Sequence, residues 1–186
     1  GFIHDIKFLL GFMPKQRHSL FFSATISPPV HTLIQQFSNN PITVSLKSRE
    51  TASNVDQDII RVKDKHAKII LLQDLLSKGE FSKVLVFGRT KHGVEKLSIA
   101  LAQKGFKVAS IHGNKTQASR QKALLLFKRN AIQVLIATDV AARGLDISDV
   151  SHVINYDMPA TYEDYIHRIG RTGRADKTGK ALTFVE

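Results

Sequence analysis

The chain has 186 residues, 42% of them apolar, with 27 basic and 16 acidic side chains and a formal net charge of +11. That apolar content excludes a disordered chain, and the length allows one domain and a piece of another. The charge suits a polyanionic partner, nucleic acid or anionic membrane, and equally a solvated basic surface, between which composition alone does not choose; the lack of cysteine excludes disulfides and thiolate metal sites.

Residues 1–46 form a unit of their own. Residues 2–12 read as a helix, 19–22 as a strand, 29–37 as a helix and 42–46 as a second strand, with a turn at Asn40-Pro41. This is too little to close a core. Residues 47–56 (KSRETASNVD) are polar and without period, so they read as a linker.

From residue 57 a strand-then-helix rhythm sets in. Strands are expected at 59–62, 84–87, 108–111, 134–137, 153–156 and 181–185, with helices between the middle four. Val94, Leu97 and Leu101 mark the face of one helix, Leu124 and Phe127 that of the next. Apolar strands separated by helices imply a parallel sheet covered on both faces, an α/β fold. No apolar run approaches the ~18 residues of a membrane helix. The chain starts at Gly1 without Met or a leader pattern, so either a longer protein is cut here or processing has occurred. Cytoplasmic location is the expectation, since a cysteine-free chain fits a reducing compartment.

Ligands bind off the carboxyl ends of strands in such sheets. Gly88-Arg89-Thr90, His112-Gly113-Asn114, Thr138-Asp139 and Ser23-Ala24-Thr25 all follow expected strands, and Arg143-Gly144-Leu145-Asp146 comes soon after the third. Turns and helix caps account for each singly; their repetition along one edge points to a crevice. Residues 165–174, YIHRIGRTGR, hold three arginines, a histidine and two glycines. On a helix, Arg171 lies roughly 40° from His167 and Arg174 roughly 20° to its other side, while Arg168 points about 100° away. Gly170 and Gly173 weaken that helix by roughly 1 kcal/mol each. Two guanidinium forks aimed one way suit a phosphate.

YIHRIGRTGR together with ATDVAARGLDI (residues 137–147) resembles the last two paired motifs of DEAD-box ATP-dependent RNA helicases. Other superfamily 2 branches usually carry glutamine where His167 stands, which speaks against a DNA helicase. Ser23-Ala24-Thr25, residues 84–90 and Gln117-Ala118-Ser119-Arg120 are similar to further motifs of the family, and Gly1-Phe2-Ile3 to the segment after its DEAD box. FGRTKHG and HGNKTQASR are similar to the bacterial RhlE-type subgroup. The resemblance implies a RecA-like second lobe (57–186), a linker (47–56) and the remnant of a RecA-like first lobe (1–46). By similarity, Arg171 and Arg174 are arginine fingers on ATP, and Asp146 accepts from the ribose. Gly113, Gln117, Arg120, Thr138 and Gly144 line the RNA backbone; Ser23, Thr25, Arg143 and His167 couple the lobes. ATP with Mg²⁺ is the implied cofactor and RNA the implied partner, without base reading. Neither a G-x-x-x-x-G-K-[ST] pattern nor a DEAD string occurs in these 186 residues. The residues that would hold Mg²⁺ are therefore expected elsewhere, and a non-catalytic RNA-binding module is the alternative function.

Overall fold

The computed structural model describes residues 2–23, 26, 28–44, 54–147, 150–173 and 178–186. The chain forms two compact units, Gly1–Lys47 and Ser48–Glu186.

In the first unit, α1 (Ile3–Gly11) and α2 (Pro28–Phe37) are helical. Arg17 ties their flanks, donating to the Pro14 carbonyl at 3.1 Å and the Phe37 carbonyl at 3.0 Å. No residue of α1 is buried, and Phe2, Phe8, Leu9, Phe12 and Phe22 are exposed. The strands expected at 19–22 and 42–46 are absent over 19–22 and 42–44, and residues 45 and 46 lie outside the described residues. Their composition suits a strand, but a strand needs a neighbour to bond to, and none is present among the described residues of this unit.

The second unit holds six parallel strands in the order β1-β6-β5-β2-β4-β3: β1 Val55–Arg61, β2 Val84–Phe87, β3 Val108–Ile111, β4 Val134–Ala137, β5 His152–Asn155, β6 Gly179–Val185. Of the four interior strands, β2, β4 and β5 are buried at every position. Alternate residues serve opposite faces. Val84, Val86, Val134 and Ile136 pack with Leu72 and Leu76 of α3 (Lys65–Leu76) and with Val94, Leu97 and Leu101 of α4 (Lys91–Gln103). Leu85, Phe87, Leu135 and Ala137 pack with Ala123 and Phe127 of α5 (Gln117–Lys128), Ala141 of α6 (Asp139–Ala142) and Ile169 of α7 (Tyr162–Ile169). Side-chain caps start the helices: Asp64 accepts from the Ala67 N–H, Thr90 from Gly93, Thr116 from Ser119 and Thr161 from Asp164. Each such cap contributes about 1 kcal/mol.

Several boundaries differ from the sequence expectation: β1 spans Val55–Arg61 rather than 59–62, β5 His152–Asn155 rather than 153–156, and β6 begins at Gly179 rather than at 181. β1 already pairs at Val55, opposite Gly179, so the linker reading took two strand residues; the strand is polar and exposed over Asp56–Asp58 because it lies at an edge. β5 ends at Asn155, because the Tyr156 N–H turns back to the Ile154 carbonyl. Among the described residues, no helix is long and apolar enough to cross a membrane.

Among the described residues, all buried apolar side chains lie from Val55 onward. A chain trimmed to begin at Asn54 is therefore expected to melt within a few degrees of the untrimmed chain and to be more soluble, since exposed aromatic surface is removed. A thermal melt of the two forms checks this; a large drop on trimming would show a shared core.

Candidate functional site

From β2 the chain runs to β3 and β4 on one side of the sheet and returns as β5 and β6 on the other. The loops beyond β4 and β5 therefore part at the carboxyl end of β2, where a doubly wound sheet leaves a crevice. A cleft lies there, lined by Phe87, Asp139, Ala142, Arg143, Asp164, His167, Arg168 and Arg171.

Arg168 forms its base and is 2% exposed. Its Nε and Nη2 donate to the two carboxylate oxygens of Asp139 at 2.6 and 2.8 Å. Nη1 donates to Asn155 Oδ1 at 3.1 Å and to the Asp157 carbonyl at 2.6 Å. The guanidinium sits 5.0 Å from the centre of the Phe87 ring, within cation–π range. Asn155 passes the link on to Thr183 Oγ1 at 3.0 Å. One side chain thus joins α7 to α6 and to the end of β5. The helical reading of Arg168, pointing off the functional face, missed this role.

The helix itself is shorter than expected. α7 ends at Ile169 rather than running to residue 174. Gly170 caps it, the Arg171 N–H bonds the Arg168 carbonyl at 3.2 Å, and Thr172 bonds Ile169 at 3.1 Å. Gly173 then takes φ +65°. A Cβ there would stand 2.7 Å from Val55 Cγ2 and 2.9 Å from the Asn54 carbonyl, so glycine lets this turn press against the start of β1. Arg171 consequently reaches the cleft from a tight turn, not from a helical stripe with His167. Its Nη1 donates to the Leu145 carbonyl at 2.9 Å. Arg174 lies outside the described residues, as does Thr25; Ser23 is exposed in the first unit.

Arg143 pairs with Asp164 at 2.7 Å at the cleft rim. The Thr161 hydroxyl first, then Arg143, holds the Asp164 carboxyl below its usual range. Asp146 is exposed and paired with Lys128 at 2.7 Å. The cleft therefore gathers the Arg143 and Arg171 guanidinium groups with the His167 ring, beside the carboxylates of Asp139 and Asp164; guanidinium forks are donors that suit a polyphosphate.

The second group adjoins α6 at the carboxyl ends of β3 and β4. Gly113 is exposed with no heavy atom within 4 Å of a Cβ built on it. Gln117 and Arg120 start α5; Arg120 donates to Gln117 Oε1 at 3.3 Å and to the Ala141 carbonyl at 3.2 Å. Thr138 is buried at the start of α6, its N–H bonded to the Ile111 carbonyl at 3.3 Å. Gly144 is exposed with φ +71°. Gly113, Gln117, Arg120 and Thr138 are thus brought to the ends of two neighbouring strands, and Gly144 to the loop beyond α6. In the sequence, Asp139 is marked only as a strand-end residue and Arg168 only as pointing off the stripe, and Asp164 is not singled out. The available signal was an acid directly after β4 and an arginine needing a buried partner once α7 packs on the sheet.

The model of the helicase conserved C-terminal domain matches residues 67–176. The whole chain aligns at 47% identity with the DEAD-box ATP-dependent RNA helicases CshA of Geobacillus kaustophilus and Bacillus subtilis, spanning 40% and 37% of their lengths. Among solved structures, the E. coli DEAD-box protein SrmB bound to regulator of ribonuclease activity A is 41% identical, with a TM-score of 0.68 over 71% of this chain and 78% of that one. S. cerevisiae Dbp5 bound to RNA and ADP BeF3 is 31% identical, with a TM-score of 0.80 over 96% of this chain and 47% of that one. Both of these relatives by sequence are CshA proteins, so the RhlE-type expectation finds no support; the two short strings behind it do not decide a subgroup. Matched by the family model over more than half its length, and matching most of the SrmB chain, this chain belongs to the DEAD-box helicase family and carries its conserved C-terminal helicase domain.

Proposed function

We propose that this chain is the second motor lobe, with the tail of the first, of a helicase that couples ATP binding and hydrolysis to local unwinding of RNA duplexes. The observation that carries the reading is the juxtaposition of two surfaces at one sheet edge. The cleft of Arg143, His167 and Arg171 takes in Asp139 and Ala142 of α6, and Arg120, at the open start of α5, bonds the Ala141 carbonyl of the same helix. The Asp139–Arg168 pair braces that short helix. Relatives named as ATP-dependent RNA helicases, and a Dbp5 structure holding RNA and ADP BeF3, support both ligands.

In this reading residues 1–46 are the first-lobe remnant, 47–54 the linker, and the strand at Val55 opens the second lobe. Arg171 and Arg174 neutralise charge developing on the transferred phosphoryl group, which positioned guanidinium groups do well. Asp146 releases Lys128 to accept from the ribose. Arg143 and His167, with Ser23 and Thr25 from the other lobe, couple the two halves. Gly113, Gln117, Arg120, Thr138 and Gly144 meet the RNA backbone, where phosphate contacts position a strand without reading its bases. Mg²⁺ belongs with the phosphate loop and the DEAD carboxylates, neither of which occurs in this sequence.

Two outcomes follow for the isolated chain. It should release no phosphate from ATP, with or without RNA. It should bind unrelated single strands weakly and with steep salt dependence, log K falling by about 0.7 per unit of log salt for each phosphate neutralised. Phosphate release together with filter binding at several salt concentrations tests the reading. Strong preference for one sequence, flat salt dependence or RNA-stimulated turnover would each count against it.

A further inference from the structure

β3 is an edge strand, and its carboxyl end carries a polar network outside the cleft. The two-residue strand period puts Ser110 and His112 on the same face, where α4 supplies Glu95. The Ser110 hydroxyl donates to Glu95 Oε2 at 2.6 Å, and His112 Nε2 lies 3.0 Å from the same oxygen. Lys115 Nζ donates to Oε1 at 2.9 Å. His112 Nδ1 accepts the Asn114 N–H at 3.3 Å, so the proton of a neutral ring sits on Nε2 and points at Glu95. Ser110 and His112 are buried. Hydrogen bonds from Ser110, Lys115 and His112, in that order, hold the Glu95 carboxyl down at about 2. The turn fixed in this way, residues 112–115, contains Gly113 and runs directly into Thr116, the cap of α5 from which Gln117 and Arg120 project.

We propose that Glu95 is a positioning residue for RNA: by gathering Ser110, His112 and Lys115 it locks the turn that presents Gly113 and the start of α5 to the strand. The proposal rests on the RNA reading above. Glu95 has the wrong sign to meet a phosphate itself, and this makes the idea decidable. A carboxylate that is only a nearby charge repels RNA, so removing it should tighten binding. A carboxylate that organises the binding edge should weaken binding when removed.

The experiment uses the intact parent protein with Glu95→Ala, Glu95→Gln and Arg120→Ala. It reads the RNA concentration that half-saturates ATP turnover, the turnover at saturating RNA, and hydrogen exchange at the Asn114 amide. Both Glu95 variants should raise half-saturating RNA about tenfold, the scale of leaving buried donors without their acceptor. Saturated turnover should stay near that of the parent, and Asn114 exchange should accelerate even without RNA. Glutamine offers one acceptor oxygen to three donors while keeping the volume, so it decides the matter if the alanine variant does not fold. Unchanged or tighter RNA half-saturation in the Glu95 variants, with Arg120→Ala weakened, overturns the proposal and leaves the RNA reading standing. No effect from Arg120→Ala as well overturns both.

Discussion

Alanine at Arg171, or at Arg174, should cut ATP turnover of the intact parent by ~10³-fold or more, the cost of losing an arginine finger, while ATP-independent RNA affinity stays largely intact. A finger acts on charge that develops in the transition state, so it changes rate more than ground-state binding. The geometry favours Arg171 in this role because it borders a cleft shared with Arg143 and His167, whose lining does not include Arg120. Its Nη1 bonds the Leu145 carbonyl, a neutral acceptor and so a weaker partner than a phosphate oxygen. Lysine at Arg171 should not rescue turnover, because an ammonium cannot make the planar fork. Arg120→Ala should behave in the opposite order, weakening RNA binding first and stimulated turnover only as a consequence. Steady-state ATPase and RNA binding on these variants side by side make the check. Near-normal turnover with lost RNA affinity at Arg171 and Arg174 would reverse the assignment of the two surfaces.

The parallel sheet was legible because buried strands leave a simple trace. VLVF and VLIA are unbroken apolar runs, and β2 and β4 are buried on both faces at every residue. The edge strand β1, VDQDIIR, gives neither a run nor a clean alternation, since it is exposed over most of its length. Its first two residues therefore passed for linker. Residues 19–22 and 42–44 failed the other way: their composition is strand-like, but pairing is a long-range property that no local pattern carries. The same limit shaped the site. Motif residues could be named one by one, whereas their contacts depend on elements far apart in the chain. Glu95 looks like a solvated charge on a helix until β3 brings Ser110 and His112 beside it. Gly170 decided the end of α7 against the helical extrapolation, which moved Arg171 into a turn and left Arg168 as the last charged residue the helix could bury.

That burial sets the other large effect. Arg168→Ala should destabilise the second unit by about 3–5 kcal/mol, the cost of breaking a buried ion pair and stranding its partner, and lower its melting temperature by roughly 10 °C or more. Three losses combine. Asp139 keeps a carboxylate whose two best donors are gone. Asn155 and the Asp157 carbonyl, one buried and the other part-buried, lose a shared donor. A hole opens beside the Phe87 ring. Lysine should recover little, because one ammonium cannot serve both oxygens of Asp139 together with Asn155 and the Asp157 carbonyl. If the stranded charge is the main cost, adding Asp139→Asn to Arg168→Ala should destabilise less than the two single changes summed, the sign of direct coupling in a double-mutant cycle. Thermal and denaturant melts of the four forms measure it. An Arg168→Ala chain that melts with the wild type would mean the pair is only a surface contact; catalytic effects at Arg168 could then be read as chemistry. If the loss is as large as expected, lowered turnover in an Arg168 variant reports a collapsed cleft, and Arg168 cannot serve as a neutral control for Arg171.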